Sequence, residues 1–405
     1  MHDFREKLSD PRVAAQVQSY LKRARRLKGL PPLAGETAMD EEAHGPVSIN
    51  LDLTLACDYR CAHCIDSQLL NGGRHLPLEI VRGTLEVLIG RGLRSVILIG
   101  GGEPTLHPHF EQVVAAIKKL DLECAIASNG GHNEKIGSIA PLLGAKDWIR
   151  LSLDAGTDET FQALHLPRKP IRLEHICRTA GELKRRAPQV QLGFSFVVMW
   201  QAPGQRFSPA ATNVHEMRQA AALAKEHGFD YISFKPLLVR NADRAEVVNC
   251  TGASLQGTGA EETAALGRIR ENLGAAQSVA DTRFRVVPSR NLVALLDGHG
   301  LERSALQPSE CHMQYFRQVV SPTGVFACPA HRGNAGSRLA GCDAYATLEA
   351  FQETSRATQL QIQRFNAFAA CREITCIYND ANWWLEELIE SGQPVQRLGA
   401  SDFFL

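Results

Sequence analysis

The chain has 405 residues, of which 44% are hydrophobic, and it carries equal numbers of basic and acidic side chains, 44 of each. Zero formal net charge gives no support for nucleic acid or an acidic membrane as a bulk partner. Eleven cysteines are too few for a disulfide scaffold, and no segment reaches the roughly 18 apolar residues of a membrane span. The N-terminus is charged and lacks the apolar core of a signal peptide. We therefore expect a cytoplasmic protein.

Residues 1–45 are predicted to form a helical lead-in followed by a linker. The segment Pro11–Lys28 is typical of one helix, because proline suits a first helical turn and Pro31-Pro32 would end it. The acidic segment Glu36–His44 is interpreted as the linker.

From residue 46 to residue 245, strand-like and helical segments alternate. Predicted helices include Leu78–Arg91, Pro108–Lys119 and Val214–His227. The predicted strands are Val47–Ala56, Ser95–Ile99, Glu123–Ala127, Trp148–Leu153, Leu192–Met199 and Tyr231–Pro236. Such alternation indicates parallel strands joined by crossover helices. We predict an α/β fold, a partial (β/α)6 barrel related to the TIM barrel, with its chemistry at the carboxyl ends of the strands.

Three cysteines directly follow the first predicted strand. Cys57, Cys61 and Cys64 have the spacing Cys-x3-Cys-x2-Cys. Soft thiolate ligands suit an iron–sulfur cluster or zinc. Three ligands would leave one iron of a four-iron cluster open for chemistry. A zinc site with His63 as fourth ligand, or unrelated buried thiols, would also fit this loop.

The second predicted strand ends in the turn Gly100-Gly101-Gly102-Glu103-Pro104. Glycine permits close backbone approach to a ligand, and the Glu103 carboxylate could accept hydrogen bonds from an ammonium group. Alone, this sequence would be an ordinary strand-ending turn. Together, the cysteine loop and the Gly-Gly-Glu turn resemble the radical S-adenosylmethionine (radical SAM) family. That resemblance implies a [4Fe–4S] cluster on Cys57, Cys61 and Cys64, and methionine-moiety binding by Gly101, Gly102 and Glu103.

The resemblance also implies roles for polar residues at the ends of the third and fourth strands. Ser128, Asn129 and Ser152 would bind the ribose and carboxylate of S-adenosylmethionine, and Arg168 could pair with that carboxylate. Simple turn and capping roles, or a surface position for the arginine, are the alternatives.

Lys235 lies near the end of the sixth predicted strand, close to the expected mouth of the barrel. It could bind substrate there. The default interpretation is that its ammonium group reaches out to solvent.

A second set of cysteines follows residue 305. Cys311 and Cys328 flank a predicted β-hairpin with Pro322 and Gly324 at its turn, and the pair Cys371 and Cys376 follows a predicted helix, residues 347–369. The two pairs could converge on one metal centre. A structural zinc site with four thiolates is the alternative to an iron–sulfur cluster.

This region resembles the SPASM and Twitch extensions of radical SAM enzymes. The resemblance implies one auxiliary [4Fe–4S] cluster on Cys311, Cys328, Cys371 and Cys376, with Cys342 as a possible substitute ligand. The glycine-to-cysteine spacing is one residue shorter than usual, and the central cysteine run is absent apart from Cys342. We therefore assign residues 305–405 to a small cysteine-rich auxiliary-cluster domain and tail, and 246–304 to a connecting segment.

The remaining cysteines, Cys124, Cys177 and Cys250, are interpreted as buried thiols. The apolar tail Phe403-Phe404-Leu405 is expected to dock on the protein or on a partner.

The resemblance implies reductive cleavage of S-adenosylmethionine to a 5′-deoxyadenosyl radical, which abstracts hydrogen from a substrate. A small-molecule substrate is favoured, for dehydrogenation, epimerisation or rearrangement. Oxidation or cross-linking of a ribosomally made peptide is the second hypothesis, and a non-catalytic, zinc-stabilised binding protein is the third. A reductant such as flavodoxin or ferredoxin is the expected partner, and neither nucleic acid nor membrane is expected.

Overall fold

The computed structural model describes residues 3–32, 43–200, 212–248, 260–297 and 306–405. Most of the predicted linker, and Cys250, lie outside these ranges. The α-helices span Phe4–Leu8, Ala14–Leu27, Leu78–Ile89, Phe110–Lys119, Asn133–Ile139, Asp158–His165, Leu173–Arg186, Met217–Glu226, Ala260–Gln277, Arg290–Leu296, Met313–Phe316, Leu348–Arg364, Ala367–Ala370 and Asn379–Ser391. Among these described helices, none is long and apolar enough to cross a membrane.

In the described residues, a ten-stranded and mainly parallel sheet forms the centre of the molecule, and Leu238–Arg240 and Glu246–Val248 form a separate antiparallel pair. The strands are β1 (Ser48–Leu51), β2 (Ser95–Leu98), β3 (Glu123–Ser128), β4 (Trp148–Ser152), β5 (Gln191–Val198), β6 (Tyr231–Pro236), β7 (Leu238–Arg240), β8 (Glu246–Val248), β9 (Arg285–Pro288), β10 (Arg317–Ser321), β11 (Gly324–Phe326) and β12 (Arg338–Ala340). Strands β1 to β6 are adjacent in sequence order, and every neighbouring pair is parallel. The predicted α/β fold with a partial barrel is confirmed.

Two further parallel strands flank these six. Strand β9, from the predicted connecting segment, pairs with β6, and β10 pairs with β1. The predicted hairpin is formed by β10 and β11, which continue the sheet beyond β1, and β12 ends it. The cysteine-rich region therefore shares one hydrogen-bonded sheet with the barrel. Sequence periodicity could not show this, because it does not reveal which strand edges meet.

The largest apolar cluster lies between the sheet and the helices that cover it. Outward-facing strand residues such as Ile49, Ile149 and Ile232 pack there against helix residues such as Leu85 and Ile176. Cys124 and Cys177 are also fully buried in this cluster. Because side chains alternate along a strand, the neighbouring positions face the inside of the barrel.

The C-terminal tail docks on this protein. Phe404 packs with Ile97 and Ala125 inside the barrel, and its ring centroid lies 5.5 Å from that of Trp148. The backbone N–H of Phe403 donates to Glu123 Oε2 over 2.6 Å. Ala125 and Trp148 lie in the first half of β3 and β4. The tail therefore closes the end of the barrel opposite the strands' carboxyl ends.

Candidate active site

The three-cysteine loop begins six residues after β1 and is tied to the glycine turn after β2. Gly102 N–H donates to Thr54 O over 2.9 Å, and Glu103 N–H donates to Ala56 O over 2.8 Å. These bonds run from the turn to the residues just before Cys57. The two motifs therefore form one unit at the carboxyl ends of adjacent strands.

The glycines of this turn are required by the close packing. Gly101 has φ of +68°, in the left-handed region that glycine adopts without strain. A Cβ atom at Gly102 would lie 2.1 Å from Ala56 O. Only glycine lets the turn lie this close to the cysteine loop.

The three thiols are partly buried and close to one another. Burial raises the pKa of Cys61, and the nearby Cys64 and Cys57 raise it further. Burial also raises the pKa of Cys57 to about 11. Iron binding would release these protons, because cysteine ligates a metal as the thiolate.

Glu103 is the centre of a hydrogen-bond network that joins the ends of β2 and β3. Its Oε1 accepts from Ser128 Oγ over 2.9 Å and from Thr105 Oγ1 over 2.7 Å. Its Oε2 accepts from the backbone N–H of Asn129 over 2.7 Å. Burial raises the pKa of this carboxyl, while the bonds from Asn129 and Thr105 act in the opposite direction. The structure thus brings Glu103, Ser128 and Asn129 together beside the cysteine loop.

Asp58, within the cysteine loop, extends this contact to the third strand. Its Oδ1 accepts from Asn129 Nδ2 over 2.8 Å, and its Oδ2 lies 3.2 Å from His132 Nε2. Arg168 reaches this region only through its backbone, which donates to Asp58 O over 2.9 Å, and its side chain is exposed. Ser152 is half-buried at the end of β4.

The sequence did not lead us to predict a histidine–aspartate group that lies beside Cys61. His165 Nδ1 lies 3.2 Å from Cys61 Sγ, and His165 Nε2 lies 3.3 Å from Asp154 Oδ2. The same oxygen lies 2.9 Å from His63 Nε2. His63 Nε2 is thus paired with a carboxylate. The signal available in the sequence was Asp154 itself, an acidic residue directly after the predicted strand Trp148–Leu153. In the structure its φ is +51°.

A network of buried charges lies between the first cysteine loop and the second cysteine set. Arg332 Nη1 donates to Asp66 Oδ2 over 2.7 Å, and Arg332 Nε lies 3.4 Å from Asp52 Oδ2. Arg240 Nη2 donates to Asp66 Oδ1 over 3.1 Å and also contacts Glu246. Burial raises the pKa of Asp52 to about 7, although Arg332 lowers it. In the sequence, the signal for this network was Asp52, a charged residue within the apolar predicted strand Val47–Ala56.

The second cysteine set surrounds one cavity of about 170 Å³. Cys311, Cys328, Cys371 and Cys376 all line it. Burial raises the pKa of Cys311 to about 12, and the neighbouring Cys328 contributes. Cys342 does not line this cavity and packs against the main apolar cluster.

The sulfur positions bear on the choice between zinc and an iron–sulfur cluster. A tetrahedral zinc site with Zn–S bonds of 2.3 Å requires sulfurs roughly 3.8 Å apart. Among the described residues, two groups of three metal-binding side chains have all ligand atoms within 4.8 Å, namely His63/Asp154/His165 and Glu310/His312/Glu386. Neither group contains a cysteine. Among the described residues, therefore, no three sulfurs of either cysteine set lie within 4.8 Å of one another.

Comparison with known proteins agrees with this site. Residues 51–200 match the model of the radical SAM superfamily. This range contains the cysteine loop, the Gly-Gly-Glu turn and the ends of β3 and β4. The chain therefore carries a radical SAM domain over these residues.

Curated relatives match over the same region. The chain is 32% identical over 150 residues to an S-adenosylmethionine-dependent nucleotide dehydratase of Thermoplasmatales archaeon (strain ISO4-H5), covering 37% of this chain and 52% of that protein. It is 29% identical over 124 residues to mycofactocin maturase MftC of Mycobacterium tuberculosis, covering 29% of this chain and 30% of that protein. The chain thus matches about half, or less, of the length of these enzymes.

The fold resembles that of a solved structure over most of the chain. Streptococcus suis SuiB bound to S-adenosylmethionine superposes with a TM-score of 0.55, at 14% identity, over 88% of this chain and 77% of that chain. At this identity, the similarity concerns the fold alone.

Proposed function

We propose that the protein is a radical SAM enzyme that cleaves S-adenosylmethionine reductively and abstracts a hydrogen atom from a small-molecule substrate. The observation that carries the proposal is the network in which Glu103 accepts hydrogen bonds from Ser128 and Asn129 beside Cys57, Cys61 and Cys64. A [4Fe–4S] cluster would supply the electron that breaks a carbon–sulfur bond of S-adenosylmethionine. The protein would hold and shield the reactants.

The roles of the residues follow from their chemistry. Cys57, Cys61 and Cys64 would ligate three irons as thiolates, and the fourth iron would remain available to S-adenosylmethionine. Glu103 would accept hydrogen bonds from the methionine ammonium group, and Gly101 and Gly102 would permit its close approach. Ser128, Asn129, Ser152 and Arg168 remain candidates for the ribose and carboxylate.

We further propose that residues 305–405 hold one auxiliary [4Fe–4S] cluster on Cys311, Cys328, Cys371 and Cys376. The cavity that these four cysteines line supports the proposal. Such a cluster could accept the electron left on an oxidised substrate. Cys342 is not proposed as a ligand, because it lies away from this cavity.

A small-molecule substrate is proposed because the nucleotide dehydratase relative is named for one. A peptide substrate is the second candidate, supported by the mycofactocin maturase relative. We propose a cytoplasmic location and a flavodoxin- or ferredoxin-type reductant, consistent with a reduced iron–sulfur enzyme.

Anaerobic reconstitution tests both cluster proposals. We would count iron, sulfide and zinc in wild type, in a Cys57/Cys61/Cys64→Ala variant and in a Cys311/Cys328/Cys371/Cys376→Ala variant, with Cys342→Ala as the matched control. We expect about eight irons in wild type and in the control, and about four in each multiple variant. After addition of S-adenosylmethionine and dithionite, 5′-deoxyadenosine should be absent only from the first variant. Zinc in place of iron, without nucleoside, would establish the structural-zinc hypothesis instead.

A further inference from the structure

In the part of the chain that the structure describes, two cationic side chains on the inner face of the barrel have no carboxylate partner. Ile149 and Leu151 of β4 face the helices, so Arg150 and Ser152 face the interior. On β6, Ile232 and Phe234 face the helices in the same way, which places Lys235 on the interior side. The expectation that Lys235 reaches out to solvent is therefore wrong, because its strand position directs it into the barrel.

The hydrogen bonds of these cations are few. Lys235 Nζ donates to Ser195 Oγ over 3.2 Å. The guanidinium of Arg150 lies over the ring of Trp148, 5.0 Å from its centroid, and its Nε is buried without a hydrogen-bond partner. Among the described residues, neither Lys235 nor Arg150 takes part in an ion pair. Both residues are half-buried, and a cation partly removed from water without a counter-charge is unfavourable unless a ligand supplies one.

The carboxylate that acts on Lys235 already has other hydrogen-bond partners. Asp154 is the carboxylate whose charge acts on Lys235, but its Oδ2 contacts His63 and His165, and its Oδ1 accepts from the backbone N–H of Val197 over 2.6 Å. Burial lowers the pKa of Lys235, Arg150 lowers it further, and Asp154 only partly compensates. A bound anion would raise the pKa of Lys235 and so oppose the lowering by burial and by Arg150.

Hydroxyl groups complete the arrangement. Ser152 and Ser195 are register partners on β4 and β5, and Val197 of β5 is the partner of Lys235 on β6. The ring of Phe404 packs against Trp148 and closes the barrel beneath Arg150. Arg150, Lys235 and Ser195 therefore share the inner face of the barrel, with the Phe404 ring on the side away from the carboxyl ends of the strands.

We propose that Lys235 and Arg150, with Ser195, bind an oxyanion of the substrate, a carboxylate or a phosphate. The inference rests on the proposed function and adds the chemical class of the substrate. A carboxylate on S-adenosylmethionine has the same chemistry, so the test must separate the two sources. Phosphate and carboxylate both accept charge-assisted hydrogen bonds from lysine and arginine.

Inorganic phosphate and acetate are suitable probes. Using the reconstituted full chain, we would measure their binding by calorimetry and that of S-adenosylmethionine separately, for wild type, Lys235→Gln, Arg150→Gln and Lys235→Arg. The exposed Lys119→Gln and Arg185→Gln variants are matched controls. We expect saturable binding of at least one probe, weakened roughly tenfold by either neutral substitution, retained in Lys235→Arg and unchanged in the controls. The affinity for S-adenosylmethionine should stay within about twofold.

Three results would overturn the inference. These are the absence of saturable binding of both probes, equal affinities in wild type and both neutral variants, and a parallel loss of S-adenosylmethionine affinity. The last would assign the pocket to the carboxylate of S-adenosylmethionine. Because probe binding needs no turnover, 5′-deoxyadenosine formation by wild type tests the proposed function independently.

Discussion

Glu103 Oε2 accepts a 2.7 Å hydrogen bond from the backbone N–H of Asn129, which joins the end of β2 to the end of β3. With the bonds from Ser128 and Thr105, this orients the carboxylate before any ligand arrives. Preorganisation of this kind reduces the cost of binding.

The Glu103→Gln variant should bind S-adenosylmethionine roughly tenfold more weakly than wild type, because a neutral amide loses charge-assisted hydrogen bonds to an ammonium group. Calorimetry on reconstituted protein measures the change, and the iron content should stay the same. The exposed Glu111→Gln variant is the control. Unchanged affinity in Glu103→Gln would contradict the assigned role.

Gly102→Ala should impair both cluster assembly and stability. The new Cβ would lie 2.1 Å from Ala56 O, so the turn must move away from the cysteine loop. Iron counts after reconstitution and thermal unfolding measure the effect. Gly137→Ala is the matched control, since nothing lies within 4 Å of its Cβ, and alanine within a helix should stabilise by about 0.5–1 kcal/mol. Full iron content in Gly102→Ala would show that the close approach is not required.

The Cys311→Ala variant should distinguish the function of the second cysteine set from that of the first. It removes one lining residue of the four-cysteine cavity and leaves Cys57, Cys61 and Cys64 intact. We expect cleavage of S-adenosylmethionine to continue in part while product formation stops. Chromatography of 5′-deoxyadenosine and of the product, once a substrate is found, measures both. Full turnover by Cys311→Ala would contradict the proposed catalytic role of the auxiliary site.

Asp52 should make stability depend on pH. Burial raises its folded-state pKa to about 7 from an ordinary value of 3.8. Between these values the folded protein holds a proton that the unfolded chain has released, so the free energy of unfolding should fall as the pH rises. Denaturant titrations at about pH 5 and about pH 8 should show a smaller decrease for Asp52→Asn than for wild type. The exposed Asp121→Asn variant should behave like wild type, and an equal decrease in Asp52→Asn would contradict the assignment.

Phe404→Ala should destabilise the protein by about 3–5 kcal/mol, because it leaves a cavity among Ile97, Ala125 and Trp148. Urea unfolding measures this loss. Phe368→Ala, at a ring that is 60% exposed, should change stability little. If the two variants were equally stable, the tail could not be an integral part of the barrel core.

The sequence by itself determined the strand–helix alternation. This alternation, together with the hydrophobic pattern of the strands, was sufficient to predict the partial barrel. It also placed Cys57, Cys61, Cys64 and Glu103 at the ends of adjacent strands, since both motifs are local and directly follow strands. Strand bounds were predicted too long, as for β1, which ends at Leu51 rather than Ala56. Local propensity does not reveal where inter-strand hydrogen bonding stops.

Tertiary structure decided the features that depend on distant segments. The pairing of β10 with β1, the entry of Phe404 beneath Trp148, and the contacts of Arg332 with Asp52 and Asp66 join residues far apart in the chain. Likewise, only packing could show that Lys235 faces Ser195 inside the barrel. Sequence patterns encode which face of an element is apolar, whereas the partner of each polar side chain is fixed only when the elements meet.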